Sequence, residues 1–313
     1  MSTSNDPVSD LLTVTRVTIG GLRIAVADRE SSTRSMVSAA IAQRGPGYPL
    51  IISSANGQVI SMCAADREMR SLFRGADILH ADGMPMVFSS AAFCRTPLPE
   101  RVATTDLFHD VAKLAEAQNA SFYLLGARPD VIEETVRRVR DRYPRLNIVG
   151  FRHGYFSADE EAEIIEGINA VRPDILWISL GVPSELAFAL RNRERLTGVG
   201  VIKTSGGLFD FLAGLNSRAP QWMQAVGLEW LYRVAIEPRR LFIRYLTTNP
   251  HAAFLLLTRT AQPGPVTLGE RRGLWRSVIR YMTSDPIALF KLLTRRVPPT
   301  PVGVQNCRRN PFR

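Results

Sequence analysis

From about residue 21 to residue 214 the chain alternates short apolar runs with amphipathic stretches, and this alternation constrains its fold more than any other feature. Such a rhythm suits parallel strands joined by crossover helices. The expected strands cover residues 22–26, 50–53, 78–80, 121–125, 147–151, 175–180 and 199–204. Between them, segments such as 130–143 and 158–171 are apolar on one side and polar on the other, with the period of a helix. The expectation is an α/β fold with a doubly wound, mostly parallel sheet. Ligands of such sheets bind beyond the carboxyl ends of the strands, so the residues just after each run are the candidate site.

The 313 residues, 45% of them apolar, can build one large core or two small ones without disulfides or metals. Cys63, Cys94 and Cys307 are widely spaced and odd in number, so neither a disulfide framework nor a zinc cluster is expected. A reducing cytoplasm suits them. Residues 1–20 lack the basic start and apolar core of a secretion signal, and no run approaches the roughly 20 apolar residues of a spanning helix.

Charge is unevenly placed. Residues 216–313 carry 16 Arg and Lys against 4 Asp and Glu, whereas residues 1–215 carry 23 against 25. The basic excess sits among Trp, Tyr, Leu and Phe, which points away from nucleic acid and towards an anionic membrane surface. The expected organisation is a sheet domain over 1–215, a basic amphipathic helical appendage over 216–297, and a disordered tail over 298–313 containing Pro298, Pro299 and Pro301. Residues 244–259 and 280–295 match at ten of sixteen places with a spacing of 36. Each copy reads as a helix end, a Thr/Ser-Asn/Asp-Pro helix start and a new apolar helix closed by Arg. Two similar hairpins without a function of their own are an equal reading. Apolar faces on these helices are also compatible with a homo-oligomer.

Four clusters follow expected strands. Ser54-Ala55-Asn56 precedes a helix starting near Gly57; its hydroxyl and amide suit a sugar or phosphate, or simply a helix cap. Asp82, in Ala81-Asp82-Gly83, stands beside the apolar run 84–88, where desolvation would raise its proton affinity as a general base requires; capping is the alternative. His80 reads as a packed histidine. Gly181 and Glu185, in Leu180-Gly181-Val182-Pro183-Ser184-Glu185, form a glycine turn and a helix start, with Glu185 either binding sugar hydroxyls or favouring the helix dipole. Gly206 and Gly207, followed by Asp210, allow phosphate or ribose close to the backbone.

No Asp-x-Asp pair occurs in the chain, so the usual carboxylate handle for a metal on a nucleotide diphosphate is missing, and no metal or other cofactor is expected. The first strand is not followed by Gly-x-Gly-x-x-Gly, which argues against a dinucleotide oxidoreductase. Arginine can replace the metal, because its fork pairs with phosphate and keeps its charge. Arg233, Arg240 and Arg244, spaced by seven and four, share one helix face unless Pro238 interrupts it. Binding lipid headgroups is their alternative role.

Taken together, these words resemble the WecG/TagA/CpsF glycosyltransferases over roughly residues 14–250. Ser54-Ala55-Asn56 looks like that family's Thr-x-Asn and Ala81-Asp82-Gly83 like its Asp-Gly element. Leu98-Pro99-Glu100-Arg101-Val102, followed by Asp106, looks like its Pro-Glu-Arg-Val block. Phe209-Asp210-Phe211-Leu212-Ala213-Gly214, Arg218-Ala219-Pro220, Gly227-Leu228-Glu229-Trp230-Leu231-Tyr232-Arg233 and Glu237-Pro238-Arg239-Arg240 continue the series in order.

The resemblance implies a Rossmann-like domain, a UDP-sugar donor, inversion at the anomeric carbon, metal independence, and a polyprenyl-diphosphate-linked saccharide as acceptor in exopolysaccharide or other surface-polymer assembly. It implies Asp82 as the base, Ser54 and Asn56 as positioning groups, and Arg233, Arg240 and Arg244 closing over the diphosphate. Gly181, Glu185, Asp106, Gly206, Gly207 and Asp210 complete the candidate substrate-binding set, although Ser184-Glu185-Leu186 departs from the Lys-Gln-Glu that family members often carry after Gly-x-Pro. The donated sugar, a hexose or an N-acetylhexosamine, stays open. The implied location is peripheral, on the inner face of the bacterial plasma membrane. The alternative from another class is a non-catalytic, membrane-associated nucleotide-binding or scaffold protein of the same fold.

Overall fold

The computed structural model describes residues 6–44 and 47–262, the side chain of Arg240 excepted. Among them lie the strands β1 (Arg16–Ile19), β2 (Leu22–Ala25), β3 (Leu50–Ala55), β4 (Ile78–Ala81), β5 (Ser121–Gly126), β6 (Asn147–Arg152), β7 (Ile175–Ser179) and β8 (Val201–Thr204). Six of these form one sheet in the order β4-β3-β8-β7-β5-β6, with every neighbouring pair parallel. A parallel sheet must be covered on both faces, and the strands alternate accordingly. Ile51, Leu125, Ile178 and Ile202 enter one core; Ile52, Leu124, Trp177 and Val201 enter the other.

The second of these cores is closed by α1 (Pro7–Leu12), α2 (Arg29–Ala42), α6 (Thr104–Gln118), α7 (Pro129–Arg142) and α10 (Leu208–Leu212). The first is closed by α3 (Gly57–Ala65), α4 (Arg67–Arg74), α5 (Met84–Phe93), α8 (Glu161–Val171) and α9 (Ser184–Arg191), together with the end of α13 (Pro238–Thr258). The short helices α11 (Gln221–Ala225) and α12 (Glu229–Ile236) lead into α13. Fully burying a side chain such as Ile178 or Phe122 stabilises the fold by roughly 1.5–3 kcal/mol.

The doubly wound expectation holds for six of the seven runs read as strands. The seventh, residues 22–26, is not in the parallel sheet: β2 pairs antiparallel with β1 in a separate two-stranded sheet. Gly20 and Gly21 join them with φ of +58° and +90°, a backbone that side chains resist and that matches the twist of a two-residue hairpin.

Two helix expectations also change. Arg233 and Arg244 do not share one helix, because the chain breaks at Glu237 between α12 and α13, with Pro238 opening the second. Asn249-Pro250 does not start a new helix; α13 runs through it. Proline there forfeits a backbone bond, but tertiary anchors hold the helix just beyond it. Ala252 packs 3.3 Å from where a Cβ on Gly57 would sit, and His251 Nδ1 lies 2.8 Å from Ser61 Oγ. Ser89 Oγ donates to the Leu256 carbonyl at 2.8 Å and lies 2.8 Å from Thr260 Oγ1. The second copy of the internal echo, the hairpin it predicts and the tail over 298–313 lie outside the described residues. No helix among the described residues is long and apolar enough to cross a membrane.

Candidate functional site

A cavity of about 260 Å³ opens beyond the carboxyl ends of β3, β4, β7 and β8. Strand termini supply its floor: Ser54 and Asn56 after β3, Asp82 after β4, Val182 and Glu185 after β7, and Thr204 to Gly207 after β8. The chain leaving α10 supplies its roof, through Arg218, Glu229, Trp230, Arg233, Arg244 and Tyr245. The amino ends of α3, α5 and α6 meet at its rim. Asn56 caps α3 through its Oδ1, 3.1 Å from Val59 N, whereas α5 and α6 carry no side-chain cap. Their unpaired N–H groups favour an anion there.

Asp82 is tied into the sheet by its backbone N–H, which donates to the Ala55 carbonyl at 2.8 Å. Its side chain keeps a partial opening onto the cavity. Burial nevertheless pushes the carboxyl up to about 6, against the pull of the Arg101, Lys203 and Arg218 cations. Glu185 is buried at the start of α9, its Oε2 accepting from Gly206 N at 2.8 Å, and burial pushes it up to about 7. Gly206 has φ of +59° with open space where a Cβ would stand, so glycine is required there by the backbone and leaves room for a ligand.

The four arginines divide into two kinds. Arg101 donates to Glu229 Oε2 at 2.7 Å, and Arg218 bonds to Asp106 and, at 2.8 Å, to Gln224 Oε1. These two are neutralised and brace the roof on the domain. Arg233 and Arg244 have no carboxylate partner among the described residues: their guanidinium carbons rest 5.6 Å from the Phe211 ring centre and 5.0 Å from that of Tyr245. Nε of Arg244 is buried without a hydrogen-bond partner. Two unpaired guanidinium groups over a cavity rimmed by helix amino ends are suited to bind a polyanion.

The cavity thus brings together Asp82, Ser54, Asn56, Glu185, Gly206, Gly207, Arg233 and Arg244. Asn56 already spends one oxygen on its cap. Gly181, with φ of +78°, shapes the turn leading to Val182 without lining the cavity itself. Asp106 sits behind the roof in its pair with Arg218, and Asp210 lies on the first turn of α10 beside Gly207, outside the lining. The backbone of Arg240 belongs to α13, and its side chain lies outside the described residues. His80 is packed, 2% exposed, with Nδ1 unpartnered; burial pushes it down to about 3, so it stays neutral. No group of three His, Cys, Asp or Glu able to hold a metal occurs among the described residues.

Sequence reasoning missed Lys203 as a site residue and gave no role to Thr104, Arg101, Arg218 or Glu229. Lys203 had a signal: a lone cation inside an otherwise apolar strand, just before paired glycines. Arg101, Arg218 and Glu229 belong to motif words, but nothing local to them reveals that Arg101 and Glu229 meet across 128 residues.

Comparison with known proteins matches residues 17–264 to the family described as glycosyl transferase WecG/TagA/CpsF. A curated relative, the N-acetylglucosaminyldiphosphoundecaprenol N-acetyl-beta-D-mannosaminyltransferase of Bacillus subtilis (strain 168), is 29% identical over 190 residues, which are 61% of this chain and 73% of that protein.

Proposed function

The chain belongs to the WecG/TagA/CpsF family of glycosyl transferases, and from that premise we propose that it moves a hexose or N-acetylhexosamine from a UDP-sugar, with inversion and without a metal, onto a polyprenyl-diphosphate-linked saccharide. One observation carries this reading: a carboxyl of raised proton affinity, Asp82, faces the same cavity as the unpaired Arg233 and Arg244. The name of the Bacillus subtilis relative, with its diphosphoundecaprenol-linked acceptor, supports the acceptor class.

In this mechanism the Asp82 carboxylate takes the proton of the acceptor hydroxyl. The freed oxygen forms a bond to the anomeric carbon from the face opposite the leaving group. The bond from that carbon to the diphosphate breaks, and its electron pair leaves with UDP. Arg233 and Arg244 offset the charge that develops on the diphosphate, as do the amino ends of α5 and α6. Glu185 and the Gly206-Gly207 backbone stand where donor hydroxyls and phosphates would lie. We further propose that the outward apolar stripe of α13, with its basic neighbours, rests on an anionic membrane inner face, where such an acceptor resides.

The test is a panel of UDP-sugars with a synthetic polyprenyl-diphosphate saccharide, scored for UDP release in the presence of EDTA. The expected outcome is one donor turned over at full rate under chelation. Release that needs added divalent metal would refute the arginine assignment, and no release from any donor would return the non-catalytic scaffold reading.

A further inference from the structure

The mechanism above leaves one buried charge without a role. Lys203, in β8, is 0% exposed, and a buried ammonium is costly unless it is hydrogen-bonded and compensated. Its Nζ donates to Ser54 Oγ at 3.0 Å and to the Thr204 carbonyl at 2.7 Å. Ser54 Oγ in turn lies 3.2 Å from Thr104 Oγ1, on the first residue of α6. β8, β3 and α6 are thereby tied at the cavity floor through the Ser54 hydroxyl.

The groups around it are few. Asp82, from the loop after β4, and Glu185, from α9, are its negative neighbours. His80, beside Ser54 in register on β4, is neutral. Arg101, just before α6, and Arg218, from the roof, act on Asp82, opposed by Glu229. A lysine whose only task was packing would be replaced by an apolar side chain without loss, yet here its ammonium reaches a hydroxyl of the candidate site.

We infer that Lys203 is a positioning residue of the transfer reaction: it fixes the Ser54 hydroxyl and, beside Arg101 and Arg218, is one of the cations that favour the ionised Asp82 able to accept the acceptor's proton. This rests on the reading of Asp82 as the base. It predicts that the charge, not the volume, of Lys203 sets the acid limb of the rate profile.

The experiment measures kcat/KM against pH for the wild-type chain, Lys203→Met, Lys203→Arg and Ser54→Ala, with Asp82→Ala as reference. Lys203→Met should move the acid limb upward by up to about one pH unit, because the carboxylate loses one of the three cations that act on it. The loss should be several-fold at pH 6 and shrink above pH 8. Lys203→Arg should keep the limb near its wild-type position. Ser54→Ala should lower the plateau without moving the limb, which separates the hydrogen bond from the charge. A limb unmoved in Lys203→Met, with Asp82→Ala inactive, overturns the inference and leaves the base assignment standing. Full turnover by Asp82→Ala overturns the base assignment instead. Failure of both Lys203→Met and Lys203→Gln to fold, judged by thermal melting, would make the role structural and equally overturn it.

Discussion

At the scale of single residues, the candidate site gathers groups whose charge is expensive to bury. Asp82 is held where burial raises its proton affinity, up to about 6, although three cations act on it. A base of that kind has two consequences of opposite sign. With Asp82 as the proposed base, transfer needs the carboxylate, so kcat/KM should fall as pH drops below about 6. Folding favours the acid, so the stability tied to this group is present at low pH and lost as pH rises through 6. Asp82→Asn is therefore expected to abolish transfer while raising the melting temperature above pH 6; a lower melting temperature at pH 7.5 would contradict the burial argument. Much of this was legible beforehand. An aspartate followed by glycine and an apolar run suggested a desolvated carboxylate, whereas its cationic surroundings come from residues 101, 203 and 218, far apart in the chain.

At the scale of elements, α13 decides whether the cavity has a roof. Its inner face packs on α3 and α5 through Ala252, Leu255 and Leu256, with Ser61 and Ser89 as polar anchors. Arg244 lies two turns before those anchors, so the docking of one end positions the guanidinium at the other. Ala252→Leu, pressed against Gly57, should tilt the helix and reduce kcat/KM about tenfold, a loss of about 1.4 kcal/mol in transition-state stabilisation. Far-ultraviolet circular dichroism should stay near wild type; an unchanged rate would separate the roof from the chemistry. This helix was also the element read least well from sequence. Asn249-Pro250 has the local form of a helix start, and only packing against α3 and α5 carries the helix through it. The hairpin of β1 and β2 was missed for a related reason: a short apolar run looks alike in either sheet, and pairing partners are not local.

At the scale of the whole molecule, the surface repeats the division seen in the composition. Ile243, Leu246, Phe254 and Leu257 are 60% exposed or more and follow one another at helical spacing along the outer side of α13. An apolar stripe that faces outward is reversed from the usual arrangement and suits a lipid surface. Replacing Ile243, Leu246 and Phe254 together by Ser should release the chain from anionic vesicles in flotation, while turnover of a short-chain, water-soluble acceptor persists. Unaltered flotation would leave membrane contact to other parts of the chain. By itself, the sequence determined the parallel α/β sheet, the strand ends that carry the site, Asp82 as the carboxyl of interest and the basic, aromatic character of residues beyond 215, because periodicity, turn residues and charge are properties of neighbours along the chain. Only the tertiary structure decided that Lys203 meets Ser54, that Arg101 and Arg218 are braces while Arg233 and Arg244 stay unpaired, and that α13 crosses Pro250. Those outcomes depend on distances through space between residues up to 190 positions apart, where a few kcal/mol of burial and pairing outweigh any local preference.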